Sequence, residues 1–259
     1  MKDYYGLCSK VLAEGDFREN RRTGQSVLSL FGESMTFDLS GGILPVVTRK
    51  RVDLFNILAE LNWFLRGSTN ANELKAEGVN IWNEWAGEDG ELGPVYGKQW
   101  VDWGGVDQID QLIDGLVNDP SSRRHIVSAW NVGEIDEMAL PPCHLMFQCY
   151  SRGEFIDMQM YQRSADMFLG VPYNITSYAL LLTAIATHLG KLAGRLKIVF
   201  GDAHVYENHV EATERMLANK EHPRPYFEAS LVRDDGPWQV QALIEPYKSG
   251  PFIPAPVAV

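Results

Sequence analysis

Cysteine is scarce in this chain of 259 residues, and basic residues are outnumbered. Three cysteines, Cys8, Cys143 and Cys149, form neither an even set for a disulfide framework nor a metal-ligand spacing. This excludes a cystine-stapled scaffold and points to a reducing cytoplasm. Lys and Arg total 23 against 34 Asp and Glu, a formal net charge of −11. The chain therefore lacks the basic surface that displaces counterions from nucleic-acid phosphates, so any anionic partner is bound locally. No stretch reaches the roughly 18 apolar residues of a membrane span, and Met1 to Leu7 lacks the apolar run of a signal peptide. The expectation is a soluble, unexported, cytoplasmic protein. GxGxxG and P-loop motifs, internal repeats and low-complexity tracts are missing too, which argues against a dinucleotide-binding sheet, a P-loop fold and a solenoid.

What is present is ordinary globular material, 45% hydrophobic and 22% charged, enough to fold throughout as one large domain over residues 1–259. Helical spacing covers Tyr4 to Glu14, Leu54 to Arg66 (stopped at Gly67) and Ile109 to Leu116, and Asp16 to Arg22 reads as a basic loop. Strand alternation covers Ser26 to Leu39 and His125 to Trp130. Leu145 to Tyr150 and Phe155 to Tyr161 read as an antiparallel pair turned at Arg152-Gly153. Ile175 to Leu189 is a long core helix and Leu196 to Phe200 a buried strand. Pro251 to Val259 forms a Pro-rich tail. Helix and strand mix without regular βαβ alternation, which predicts an α+β fold.

Chemistry concentrates around Cys143, in Leu140-Pro-Pro-Cys-His144. An arginine beside a thiol lowers its pKa from about 8.5 and exposes the reactive thiolate, whereas a lone intracellular cysteine otherwise reads as buried structure. Arg22, Arg123, Arg124 and Arg163 are the residue type best shaped for bidentate phosphate binding, or else solvated surface. Glu60 falls on the apolar face of its helix, where desolvation raises a carboxyl pKa and suits it to proton transfer; a salt bridge is the alternative. Trp82 and Trp85 could stack on a heterocycle or belong to the core. Asn174 offers an amide matching the edge of uracil, or a helix N-cap. His204 and Tyr206 alternate on an extended segment and face one side, toward a sugar hydroxyl or the core.

In order along the chain, Arg22-Thr-Gly24, Glu60 to Leu65, Ile81 to Trp85, Gly93 to Trp100, Asp119 to Arg124, Pro142-Cys-His144, Gln162-Arg-Ser164, Asp166 to Gly170, Asn174 and Gly201 to Tyr206 resemble the thymidylate synthase family. The resemblance implies a single catalytic domain with a large mixed β-sheet flanked by helices, sheets packing back to back in a homodimer. It implies that Cys143 adds to C6 of dUMP, making C5 nucleophilic toward the methylene of 5,10-methylenetetrahydrofolate, a co-substrate, with no metal or flavin. Glu60 would organise a proton-transfer water network supported by Tyr96 and His144. Arg22, Arg163 and Ser164 would hold the phosphate together with the partner subunit's Arg123 and Arg124. Asn174 would select uracil, and His204 with Tyr206 would take the 3′-hydroxyl. On the folate side the resemblance implies Asp166 at the pterin, Trp82, Leu140, Gly170 and Tyr173 as lining, Lys50 at the glutamate and the tail, Ala258 and Val259 included, as a closing strap.

The chain departs from the family pattern at Gln25-Ser26, Asp53, Asn83, Phe200-Gly201 and Tyr247-Lys-Ser-Gly-Pro251; no catalytic group is lost. Its nearest rival reading is a dUMP hydroxymethylase of the same fold, in which water captures the exocyclic methylene. Asn174 stands where cytosine-specific relatives carry Asp. A nucleotide- or RNA-binding regulator, or a plain scaffold, would leave the nucleophile and the arginine set without a purpose.

Overall fold

The computed structural model describes residues 1–19 and 24–258. Its frame is a seven-stranded mixed sheet. The strands are β1 (Asp16–Glu19), β2 (Ser26–Phe31), β3 (Ser34–Asp38), β4 (Ile126–Ser128), β5 (His144–Arg152), β6 (Phe155–Asp166) and β7 (Leu192–Tyr206). Their order is β1-β2-β7-β6-β5-β4, with β3 also on β7. The α+β expectation holds. Among the described residues only β6 and β7 run parallel, joined by the crossover helix α6 (Gly170–His188).

The single strand expected over Ser26 to Leu39 is two, β2 and β3, separated at Gly32-Glu33. They keep one register on β7, Phe31 opposite Asp202 and Ser34 opposite Val199. The basic loop expected from Asp16 begins as β1. The antiparallel pair is β5–β6, closed by a turn at Gly153-Glu154 with Gly153 at φ +58°. A second sheet pairs β8 (Phe227–Val232) with β9 (Gln239–Ile244), strands to which the sequence reading gives no assignment.

Register explains which face is buried. The row Val127, Phe147, Met160, Ile198, Met35 is buried throughout. The neighbouring row Ile126, Gln148, Gln159, Lys197, Thr36 points the other way and is half or fully exposed. Because side chains alternate along a strand, one face is core and the other uncovered. The core face receives α6, whose turns from Ile175 to Ala186 are mostly buried, as befits a helix apolar all round. The helices α1 (Lys2–Glu14), α2 (Leu54–Leu65), α3 (Ala71–Ala76), α4 (Tyr96–Val101), α5 (Gln108–Asn118) and α7 (Val210–Ala218) complete the layer. Asp53 caps α2 by accepting from Phe55 N at 3.0 Å and Asn56 N at 3.3 Å. That is a structural use for one of the departing residues. Among the described residues no helix is long and apolar enough to cross a membrane.

Candidate active site at the head of the sheet

Cys143 lies on the loop that enters β5 and is half-buried. Its backbone N–H donates to the Tyr96 hydroxyl at 2.7 Å, and its thiol lies 4.0 Å from Arg163 Nη2. The guanidinium of Arg163 is fixed in turn, donating from Nε to the Pro142 carbonyl at 2.8 Å and from Nη2 to the Pro141 carbonyl at 2.7 Å, and lying over the Trp130 ring. The Leu140-Pro-Pro loop thus presents two carbonyls, of Pro141 and Pro142, that hold the guanidinium and steer it to the thiol.

Tyr96 opens α4 and stacks on His144, ring centroids 4.1 Å apart. Burial raises the Tyr96 phenol far above its usual pKa, so it stays protonated. His144 is buried against Tyr178, whose hydroxyl lies 2.9 Å from Nδ1. Burial lowers its pKa to about 3, which keeps the ring neutral in ordinary buffers. Glu60, in the middle of α2, accepts from the Trp82 indole N–H at 2.8 Å. Burial raises its carboxyl to about 7, the indole bond opposing. Among the described residues no salt bridge is found on it.

The other wall comes from the end of β6 and the start of α6. The sequence reading starts this helix at Ile175. It starts at Gly170, because Pro172 sits in the first turn, where no intrahelical N–H is needed. Asn174 is therefore inside the helix and is no N-cap. Its Oδ1 accepts from Gln162 Nε2 at 3.0 Å. Gln162 is 2% exposed, its amide also donates to the Ser164 carbonyl at 3.1 Å, and its Oε1 has no partner among the described residues. Gln162 is thus a positioning residue that the sequence reading quotes only within a motif. Ser164 is half-buried and pairs in register with Asp202. Tyr173 and Gly170 share the first turn of α6; burial raises the Tyr173 phenol, which hydrogen bonding with Asn56 of α2 opposes.

Asp166 ends β6 opposite His204. Its Oδ1 accepts from Phe168 N at 2.9 Å and Leu169 N at 3.0 Å. Burial pushes this carboxyl up, but contacts with His209, His204 and the backbone outweigh it and hold it below the usual range. His204 Nδ1 lies 3.0 Å from Asp202 Oδ1, which also accepts from the Ser29 hydroxyl at 2.8 Å. The ring meets Tyr206 edge-on at 5.0 Å. Both predicted sugar-side residues do share one face.

Three expectations fare differently. Lys50 is 5% exposed, with Nζ donating to the Phe168 carbonyl at 2.6 Å and lying over the Phe168 ring. It is an interior lysine, lowered by burial to about 8. Its neighbour Arg51 is exposed, at a surface basin of about 650 Å³ shared with Asp53, Phe55, Tyr247 and Phe252. Arg123 and Arg124 are exposed on the loop before β4. The Arg123 carbonyl accepts from Gln148 Nε2 at 3.0 Å, which fixes these arginines beside the fifth residue after Cys143, ~17 Å away along β5 at ~3.4 Å per residue. The structure does not bring them to their own chain's thiol. Arg22 and Val259 lie outside the described residues.

The tail is strapped onto the body. Arg51 N donates to the Pro251 carbonyl at 3.1 Å, Gly250 N to the Thr48 carbonyl at 2.8 Å, and Ile253 is 2% exposed. A Cβ at Gly250 would stand 2.4 Å from the Arg49 carbonyl, which accounts for glycine at this departing position. Leu140 packs against the core and Ala258 is half-exposed at the tail's end. Among the described residues no group of three or more His, Cys, Asp and Glu could hold a metal ion. A family model described as thymidylate synthase matches residues 2–259.

Proposed function

The chain belongs to the thymidylate synthase family, and on that premise we propose that it converts dUMP to dTMP, with 5,10-methylenetetrahydrofolate as donor of both the one-carbon unit and hydride. The observation that carries this reading is the Cys143 thiol held 4.0 Å from the Arg163 guanidinium, with Tyr96 on its backbone. A cation at that distance favours thiolate, the form that adds to C6 of a pyrimidine.

In this reading the C6–S bond forms, C5 becomes the nucleophile and bonds to the folate methylene. The proton on C5 then leaves through water organised by Glu60. A carboxyl near pKa 7 is divided between acid and base at neutral pH and can both give and take that proton. Folate then departs from the methylene and returns a hydride to it, and the C6–S bond breaks to free dTMP and dihydrofolate. Because the Asn174 Oδ1 is oriented by Gln162, its amide can donate to uracil O4 while a remaining lone pair accepts from N3–H; cytosine offers the opposite edge. His204, donating from Nδ1 to Asp202, leaves Nε2 to accept from the 3′-hydroxyl, with Tyr206 beside it. The pterin lies toward Asp166, Trp82, Leu140, Gly170 and Tyr173, and the glutamate toward the Arg51 basin rather than the interior Lys50.

The phosphate is held by Arg22, Arg163 and Ser164 with Arg123 and Arg124 of a second copy. The uncovered sheet face supports that homodimer, since Ile126 and Tyr150 stand exposed on it while Arg123 and Arg124 lie too far along β5 to serve their own thiol. The test is incubation with dUMP and methylenetetrahydrofolate, following dihydrofolate by absorbance and the nucleotide by mass spectrometry. Dihydrofolate with dTMP is expected, and Cys143→Ser should bind dUMP without turnover. Tetrahydrofolate with 5-hydroxymethyl-dUMP would overturn the reductive reading in favour of a hydroxymethylase. No product at all would overturn the enzyme reading.

A further inference from the structure

His209 has no role in the scheme above, yet it joins three parts of the molecule. It closes the 3₁₀ turn Glu207–His209 after β7 and is fully buried. Its Nε2 lies 2.7 Å from the Pro256 carbonyl of the tail. Its ring meets Tyr206 edge-on at 5.4 Å and Phe168 at 5.7 Å. Its Nδ1 makes no hydrogen bond among the described residues and stands 3.9 Å from Asp166 Oδ1. Each nitrogen therefore looks at an oxygen that can only accept: a backbone carbonyl on one side, an ionised carboxylate on the other.

A neutral imidazole carries one N–H and cannot serve both. With the proton on Nε2 the tail is held, but a lone pair faces Asp166. With the proton on Nδ1 the carboxylate is satisfied and a lone pair faces the Pro256 carbonyl. Only the doubly protonated ring satisfies both sides at once.

We propose that His209 is a positioning residue that latches the carboxyl-terminal tail over the site, its imidazolium bridging the Pro256 carbonyl and Asp166. The proposal rests on the reductive reading above and deepens it, because a docked tail is what keeps water from the methylene until hydride arrives. The charged and titratable groups facing the ring are Asp166 from the end of β6, Lys50 from the segment before α2, and Tyr206 from β7; Glu207, on its own turn, is exposed. Burial and the Lys50 ammonium work against the charged ring, but Asp166 and the Pro256 carbonyl outweigh them and hold its pKa above the ordinary 6.5. A raised value means that the latch is complete below about 6.5 and is lost as pH rises through the docked-state value.

A carboxypeptidase must draw extended chain into its own cleft, so trimming of residues 257–259 of the intact protein, followed by mass spectrometry, reads undocking. It needs neither nucleotide nor folate. At about pH 6, His209→Ala should be trimmed roughly tenfold faster than wild type, the equilibrium worth of one charge-assisted hydrogen bond. His209→Gln keeps an N–H for Pro256 and cannot titrate, so the ratio of wild-type to His209→Gln trimming should climb between about pH 6 and about pH 9. Where dTMP forms, His209→Ala should raise the share of 5-hydroxymethyl-dUMP while dUMP affinity is kept. Equal trimming of wild type and His209→Ala, or a wild-type to His209→Gln ratio flat with pH, overturns the latch; the Gln variant decides if the Ala variant does not fold. The expected trimming pattern without any dTMP would leave the latch standing and defeat the reductive reading instead.

Discussion

Replacing Glu60 with Gln should make the protein more stable at alkaline pH and abolish its turnover. Glu60 sits in α2 with its carboxyl on the Trp82 indole, and burial carries its pKa from 4.5 to about 7. A carboxyl whose folded-state pKa is raised favours the protonated protein. Its contribution is greatest below the unfolded value, falls as pH climbs from about 4.5 to about 7, and is flat beyond. The interval corresponds to roughly 3 kcal/mol, an upper bound because Glu60 is half-buried and water can reach it from the site opening. Gln keeps an oxygen for the indole and never ionises. Urea denaturation of both proteins at several pH values and one fixed protein concentration measures the difference directly. Glu60→Gln should gain on wild type by about 2–3 kcal/mol between pH 5 and pH 8, while losing turnover by a factor on the order of 10² or more, the usual worth of a general acid–base. Parallel stability curves across that range would refute the argument, since an ordinary, solvated Glu60 would leave no such slope. His144, lowered to about 3 from an ordinary 6.5, contributes a slope of the opposite sign up to about pH 6.5, but both proteins share it and it cancels in their difference.

Three further outcomes follow from the geometry. Gly93 has φ +74° and a Cβ there would lie 2.0 Å from the Glu137 carbonyl, so Gly93→Ala should cost on the order of 3 kcal/mol in urea unfolding. Chains carrying Arg124→Ala and chains carrying Cys143→Ser should each be inactive alone, yet regain about a quarter of wild-type activity after unfolding and refolding together, because half the pairs would then hold one complete site; no recovery would refute the shared phosphate pocket. Gln162→Leu should raise the KM for dUMP and weaken discrimination against dCMP, with thermal unfolding as the control for a purely structural effect, because it removes the N–H that orients Asn174.

The sequence was legible where local physics decides. Apolar spacing from Leu54, with Gly67 past the end, marks α2 to within a residue, and strand alternation around Gly153 marks the β5–β6 hairpin. It was illegible where long-range packing decides. The fold turns Lys50, between Arg49 and Arg51, inward onto the Phe168 carbonyl, which no neighbour in sequence announces. Gly170 to Asn174 looks like a turn because Gly and Pro break helices in general, and only the tolerance of a first turn for proline makes it helix. The hairpin of β8 and β9 was missed although Phe227-Glu-Ala-Ser-Leu231 alternates apolar and polar residues ahead of the Asp234-Asp235-Gly236 turn, so a local signal was present. Cys143, Glu60 and Trp82 stand out by residue type and motif; the contacts of Gln162 and His209 form only in three dimensions.

The helix α6 has one end in the site, where Gly170, Tyr173 and Asn174 form its first turn, and runs the rest of its nineteen residues through the core. At 1.5 Å per residue Asn174 stands about 21 Å from the far end of this rod, so a tilt of about 4° about that end would carry it sideways by about 1.5 Å, enough to misalign an amide on a base edge. With Asn174 in its proposed role, selectivity for the base is hostage to packing far from any ligand. Sequence drift at the deep end of this rod is constrained by chemistry as well as by folding, and a repacking that leaves the melting temperature untouched can still blur what the enzyme recognises.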